Sequence, residues 1–489
     1  MIKKYFENLG FIKNKIIKKK REVDISTFVN GVNQFNEYVV VKNKKEIKIY
    51  NRNCDHAGGR LIKSQDSNNL YCPNHNWVFN PLKGRYLNGV IKNEISYNLH
   101  KKKITFSLDR LKPYIKKIVT KKNIKTSIKY FNHAFLIIEG KNFKFATDPW
   151  AIGPAFNNGW WLQNKTGSDW IEELNSCDFI YLSHNHPDHL NQYTLNKISK
   201  KKIFIVPKFQ HDSIGGLLKR LKFNNIIYLE INRQYRFKNS NLVLCVMKSG
   251  DFRLDSGIYF SNGNFSSLLD VDTNAINFLR LPEVTLYASS YRGGASGYPL
   301  MFDNYKINEK REIIKKKNNF LKKIKLKNIF QLKTKYFLPY ASGFHEILKR
   351  DKYIKLNNKK LNYEDYKISL KKKKTNILDI KKYKTFNFED EILISKKLKS
   401  TIFYKDKSPN EYLKEFKSQN STIKINKIKN YFENSRFKDS LKINITLTND
   451  NFSKNCEKFS VNFSKNKPVF DNKHFRNGKN LRKKNDLKY

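Results

Sequence analysis

Cysteine is scarce, with five residues in 489, too few for a chain of this length to rest on a disulfide framework. Long apolar runs are missing too. No stretch approaches the roughly 18 apolar residues that a membrane-spanning helix needs, so no membrane insertion is expected. The basic start, MIKKYFENLGFIKNKIIKKK, never offers the about seven continuous apolar residues of a signal-peptide core. Together these absences point to a reducing cytoplasm. Acidic residues are also few: 43 Asp and Glu face 97 Lys and Arg, a net charge of +54. Such an excess attracts nucleic acid, anionic membranes or phosphorylated small molecules. No helix-turn-helix, zinc-finger or RNA-recognition pattern accompanies it, and the lysines are spread along the whole chain beside abundant Asn, Ile, Phe and Tyr, as A+T-rich codon usage produces. The expectation is no nucleic-acid partner, with an anionic small substrate compatible.

What the chain does have is core material. It is 39% hydrophobic and 14% aromatic, and its length implies two to four domains at about 100 to 200 residues each. Residues 1–115 read as an all-β unit of short strands and tight turns, among them YVVVK at 38–42, EIKIY at 46–50 and KITFSL at 103–108. A lysine-rich linker follows at 112–125. Residues 126–345 change texture to apolar strands alternating with helical patterns, including a basic helix over 306–329, which predicts a layered α/β domain. Residues 346–489 read as an accessory C-terminal extension, and 465–489 as a polar, basic, disordered tail.

Two cysteines stand in a ligand pattern. Cys54-Asp55-His56 and Cys72-Pro73-Asn74-His75 are C-x-H and C-x-x-H pairs separated by fifteen residues. A Rieske [2Fe–2S] centre needs two thiolates on one iron and two imidazoles on the other, and each loop supplies one of each. Gly58 and Gly59 allow the first loop to bend over the cluster. Two cysteines and two histidines also satisfy zinc, but zinc fingers favour a cysteine pair followed by a histidine pair. The second loop resembles those of the Rieske ferredoxins and ring-hydroxylating oxygenases. Cys177, Cys245 and Cys456 are expected to be single thiols.

A second metal motif follows the strand DFIYLS: His184-Asn185-His186-Pro187-Asp188-His189. Three histidines and an aspartate so close together are costly to bury without a cation. The H-x-H-x-D-H cluster resembles the first metal-binding motif of the metallo-β-lactamase superfamily. That resemblance implies an αββα fold, with His184 and His186 on one metal and Asp188 and His189 on another. It also implies that Asp251, where a histidine is usual, and Asp272, where a bridging aspartate is expected, complete the set. His345 is a weaker candidate, more readily a surface histidine. His133, in NHAFLII, is as readily a core residue as a ligand.

The run DPWAIGPAFNNGWWLQ at 148–163, with SDWIEEL, SHNHPDHL and RGGASGYPL, is similar to the CMP-N-acetylneuraminate hydroxylase family. That likeness implies a Rieske monooxygenase that converts the N-acetyl group of a CMP-activated sialic acid to N-glycolyl. It implies O2, NAD(P)H, a reductase and an electron-donor protein as partners. Oxygen insertion needs a metal that changes oxidation state, which argues for one or two irons at the second site, with zinc the alternative. The aromatic run is read equally as a lid or as a substrate contact, and Gly293, Gly294, Ser296 and Gly297 as a candidate phosphate nest. The competing function is a metal-dependent hydrolase or phosphodiesterase with a redox-sensing Rieske domain.

Overall fold

The computed structural model describes residues 2–483 apart from 12, 36, 44–45, 53, 56–60, 65–66, 73–76, 115–122, 250–252, 274–275, 277–282, 294–296, 372, 421–424, 435–439, 449–454, 464–467 and 472–480. Contacts divide the chain into two units, Met1–Lys405 and Asp406–Tyr489.

The first unit begins with small antiparallel sheets. Gly31–Gln34, Tyr38–Lys42 and Ile47–Asn51 form one, four short strands between Ile62 and Tyr86 form another, and Tyr97–His100, Lys103–Tyr114 and Lys13–Asp24 form a third. Alternation in YVVVK divides its valines between two cores. Val39 and Val41 pack with Tyr50, Leu70 and Phe79, whereas Val40 packs with Ile49, Ile104 and Phe106.

Two eight-stranded sheets build the rest of this unit. In the first, Phe143–Thr147, Phe179–Tyr181, Phe204–Pro207 and Ile226–Leu229 run parallel. Strands Lys125–Asn132 and Phe135–Gly140 extend that sheet in antiparallel fashion. The second sheet runs from Arg233–Phe237 through Leu242–Lys248, Ser256–Asn262, Phe265–Leu269 and Leu286–Ser289 to Tyr336–Pro339. Leu136, Ile138, Phe145 and Tyr181 of the first sheet meet Leu244, Val246, Ile258 and Phe260 of the second in one buried core. The alternate residues of the same strands are buried as well. Phe135, Ile137, Ile180 and Phe204 pack under Trp170, Leu174, Ile214 and Leu218 of the helices Trp170–Ser176 and Ser213–Arg220. Cys245, Tyr259 and Tyr287 pack under Ile329 of the helix Ile307–Gln331 and under Tyr366 and Leu370 of Glu364–Lys371. Both faces of each sheet are therefore covered, which gives an αββα layering and explains why its strands read as continuous apolar runs.

The sheets reach beyond residues 126–345 at both ends. Phe6–Phe11 pairs antiparallel with Arg233–Phe237 and buries Phe6 against Phe179 and Tyr235. Asn376–Ile377 closes the second sheet, and Tyr383–Glu389 with Ile392–Leu398 closes the first, burying Phe386 and Phe388. The second unit carries helices Pro409–Asn420 and Ile425–Glu433 with a four-stranded sheet around Ile445, Leu447, Phe459 and Val461. The stretch 465–489 contributes Val469–Asp471 and Leu481–Lys483 to that sheet instead of remaining wholly a tail. No helix among the described residues is long and apolar enough to cross a membrane.

Candidate metal centres

Cys54 and Cys72 lie within the small β-sheets in one buried cluster with Leu61, Phe79 and Tyr86, and neither forms a disulfide. The Tyr86 hydroxyl accepts the Asp55 N–H at 3.1 Å, and the Cys72 N–H donates to Trp77 O at 2.8 Å. Buried Lys92 reaches the Asp55 carboxylate at 3.1 Å, so the first loop is held from beneath at the residue after its cysteine. Burial pushes the Lys92 ammonium below its ordinary value, against the pull of Asp55. His56, His75, Gly58 and Gly59 lie outside the described residues.

The second site assembles where strand ends from both sheets converge. Parallel pairing of Phe143–Thr147 with Phe179–Tyr181 sets Thr147 opposite Tyr181, so Asp148 and Ser183 emerge side by side. His133 sits in the turn between Lys125–Asn132 and Phe135–Gly140, and Asp272 follows Phe265–Leu269. Four non-glycine residues around the site adopt left-handed backbone: His133 at φ 43°, Asp148 at 39°, Val271 at 52° and Ala341 at 51°. Each costs about 1–3 kcal/mol, and such strain persists where the surrounding packing enforces it. Here Ala341 N–H is bonded to His133 O at 2.7 Å.

Two trios of donor atoms share His189: His133, Asp188 and His189, and His184, His189 and Asp272, each trio lying within 4.8 Å. Asp272 Oδ2 is 3.7 Å from both His184 Nε2 and His189 Nε2. His186 is half-buried, with Nδ1 2.8 Å from His184 Nε2. His133 Nε2 stands 3.0 Å from Asp188 Oδ2, yet neither ring nitrogen of His133, nor His189 Nε2, nor Asp188 Oδ1 completes a hydrogen bond. Buried polar atoms left so cost about 1–3 kcal/mol each. Two ligands of one cation at about 2.1 Å and a right angle stand about 3 Å apart. The donor set therefore fits a cation.

Asp148, fully buried, organises both trios. Its carboxylate accepts the Ser183 N–H at 2.8 Å, the Ser183 hydroxyl at 2.7 Å and, at 3.2 Å, the His189 Nδ1–H. Ser183 Oγ in turn lies 2.8 Å from His184 Nδ1. With Nδ1 engaged on both rings, each Nε2 is left to face the other donors, the orientation a metal-binding imidazole requires. Burial holds His184 well below the ordinary imidazole range, helped by His189 and His186, so it stays neutral. Burial also opposes charge on His189, but Asp188, Asp148 and Asp272 outweigh it and raise that ring well above the usual value. Asp188 is held well below the carboxylate range because His189 and His133 overcome its burial.

The structure thus brings together His184, His186, Asp188, His189 and Asp272 and adds His133, while Asp251 lies outside the described residues. His345 is half-buried in a two-stranded pairing with Trp161, apart from both trios. Of the proposed phosphate nest, Gly294 and Ser296 lie outside the described residues. Asp148 and Ser183 are not among the site residues expected from the sequence. The available signal was an aspartate directly after the apolar strand Phe143–Thr147, which pairs in parallel with the strand that leads into the histidine motif. The aromatic run divides in two. Trp150 is fully buried against His133 at 5.2 Å, while Phe156 lies 5.8 Å from His186 and Trp160 stacks on Phe344 at 3.7 Å.

Residues 14–95 match the Rieske [2Fe-2S] domain. Cytidine monophosphate-N-acetylneuraminic acid hydroxylase of Pan troglodytes is 29% identical over 367 residues, covering 69% of this chain and 61% of the relative. The Xenopus laevis protein of that name is 30% identical over 365 residues, covering 68% and 60%. The match thus spans about three fifths of these relatives. A diiron β-hydroxylase from Streptomyces venezuelae shares 15% identity over 57% of this chain and 55% of its own, at a TM-score of 0.37, a likeness too slight to bear on function. The chain carries a Rieske [2Fe–2S] domain and is similar, over about two thirds of its own length, to the cytidine monophosphate-N-acetylneuraminic acid hydroxylases.

Proposed function

We propose that the chain is an O2-dependent monooxygenase that hydroxylates the N-acetyl group of a CMP-activated sialic acid or a related nucleotide sugar. The observation that carries this reading is the presence on one chain of two buried, unbridged thiols in a Rieske domain and a buried histidine–aspartate cluster with unsatisfied donor atoms. When bound, a one-electron [2Fe–2S] cluster and one or two irons supply the redox chemistry that insertion into a C–H bond requires. Cys54, His56, Cys72 and His75 would hold the cluster. His133, Asp188 and His189, and His184, Asp272 and His186, would hold iron, since two imidazoles with one carboxylate form the ligand set of non-haem Fe(II).

The chain's own residues would do the rest. Asp148 fixes the His189 ring directly and the His184 ring through Ser183. Phe156, Trp160 and Phe344 form an aromatic wall beside His186 that keeps water from the reacting group. NAD(P)H, a reductase and a small electron-donor protein are the proposed partners, in a cytoplasm that suits unbridged thiols. Hydrolysis, the competing activity, has no use for the cluster. The test is His184→Ala assayed with CMP-sialic acid, reductant and O2. Loss of the hydroxylated product with the Rieske absorbance intact supports the assignment, and full turnover by this variant refutes it.

A further inference from the structure

A cavity of about 310 Å³, with no candidate metal ligand among its lining residues, opens beside the strand that leads to His133. Its walls are Tyr130 and Phe131 of that strand, the 163–167 loop, and the segment from Ser400 to Phe403. The rim is built by backbone pairing. Ser168 N–H donates to Ile402 O at 3.2 Å, Tyr404 N–H to Thr166 O at 2.9 Å, and Asn132 Nδ2 reaches Asn164 O at 3.2 Å.

Four lysines, Lys165, Lys381, Lys384 and Lys399, line this one concavity. Lys384 is paired with Asp169. For the other three, no carboxylate among the described residues lies within ion-pair reach. Lys399 is half-buried, its ammonium over the Tyr130 ring at 5.6 Å. Asp379, whose charge acts on Lys399, has its carboxylate engaged by the N–H groups of Lys381 at 2.9 Å and Lys382 at 3.2 Å. Burial lowers the Lys399 ammonium below its ordinary value, and the charge of Asp379 offsets this only in part. Elsewhere the chain's excess lysines can spread into solvent; here they converge on a hollow. At about 300 Å³ or more a cavity admits a small organic ligand, more than a lone phosphate ion. Half-exposed Phe403 offers that ligand an aromatic face.

We propose that this cavity binds a phosphate-bearing ligand of mononucleotide size, its phosphate held by Lys399 and Lys165 and its flat ring laid against Phe403. Lysine grips phosphate as a point charge without demanding one orientation, so the aromatic face supplies the direction. The choice of CMP as the probe rests on the function proposed above; the phosphate site itself does not. Because binding is measured without turnover, failure of the hydroxylase assignment and failure of this site are separate results.

The experiment is calorimetric titration of the full chain with CMP, cytidine and inorganic phosphate. The expected result is saturable CMP binding displaced by inorganic phosphate, with cytidine weaker by about tenfold or more, since the charge-assisted contacts are lost. Lys399→Gln should weaken CMP by a similar factor and Lys399→Arg by much less, while Lys165→Gln, at an exposed wall position, tests the same phosphate without touching the interior. Equal binding of cytidine and CMP would overturn the proposal. So would an absence of saturable CMP binding at millimolar concentration, or unchanged CMP affinity in folded Lys399→Gln and Lys165→Gln.

Discussion

Asp148→Asn is the sharpest perturbation of the second metal site, because it changes one charge and almost no volume at a fully buried position. The carboxylate fixes His189 Nδ1 at 3.2 Å and, through the Ser183 hydroxyl, His184 Nδ1. Each link is a hydrogen bond to or through a charged group, worth about 1.5–3 kcal/mol where charge is involved directly and about 1 kcal/mol otherwise. An asparagine that turns its amide N–H toward His189 favours the other tautomer and takes Nε2 away from the metal. Loss of such an orienting partner lowers metal affinity by about 10–100-fold, or about 1.4–2.7 kcal/mol. The assay is competition against a chelator of known affinity, with iron counted after desalting. Rieske absorbance is the internal control and should not change. Equal metal affinity in Asp148→Asn and the unaltered chain would refute the claim that this carboxylate orients the ligands.

Cys72→Ser should abolish the visible [2Fe–2S] spectrum while leaving chelator-resistant metal at the histidine–aspartate site, and loss of both metals together would argue against two separate centres. Phe145→Ala removes a fully buried ring stacked on Phe179 at 5.1 Å between the two sheets; a loss of about 3–5 kcal/mol is expected in denaturant unfolding, and a loss below about 1 kcal/mol would contradict the packing described. Glu173 joins Lys129 at 2.8 Å and Lys144 at 2.6 Å, and these partners outweigh its burial to hold its pKa below 4.5. Its contribution is therefore present above pH 4.5 and lost as pH falls through the depressed value. For this partly solvated group Glu173→Gln should cost about 1 kcal/mol or less at neutral pH, and the gap should close in acid; a gap that widens there would reverse the sign.

The H-x-H-x-D-H part of the second donor set could be read from sequence because His184, His186, Asp188 and His189 fall within six positions, whereas His133 and Asp272 join it only through the fold. Asp148 and Ser183 could not be read so, because their meeting depends on the register of two parallel strands whose paired residues, Thr147 and Tyr181, are 34 positions apart. The same limit hid the sheet edges. Phe6–Phe11 finds its partner at Arg233–Phe237, and Tyr383–Glu389 finds Lys125–Lys129. Lysines interrupt both C-terminal strands and mask the alternation that buries Phe386 and Phe388. His133 was ambiguous for a related reason, since only the turn at φ 43° aims its ring at Asp188.

In the proposed function the two centres act together on one substrate. Reduce the anaerobically purified, iron-loaded chain, add CMP-sialic acid and then isotopically labelled O2, and weigh the product. The expected product is a CMP-sugar heavier by one labelled oxygen atom, formed only when both reductant and O2 are present. Released CMP or phosphate, formed equally without O2 or reductant, would contradict it.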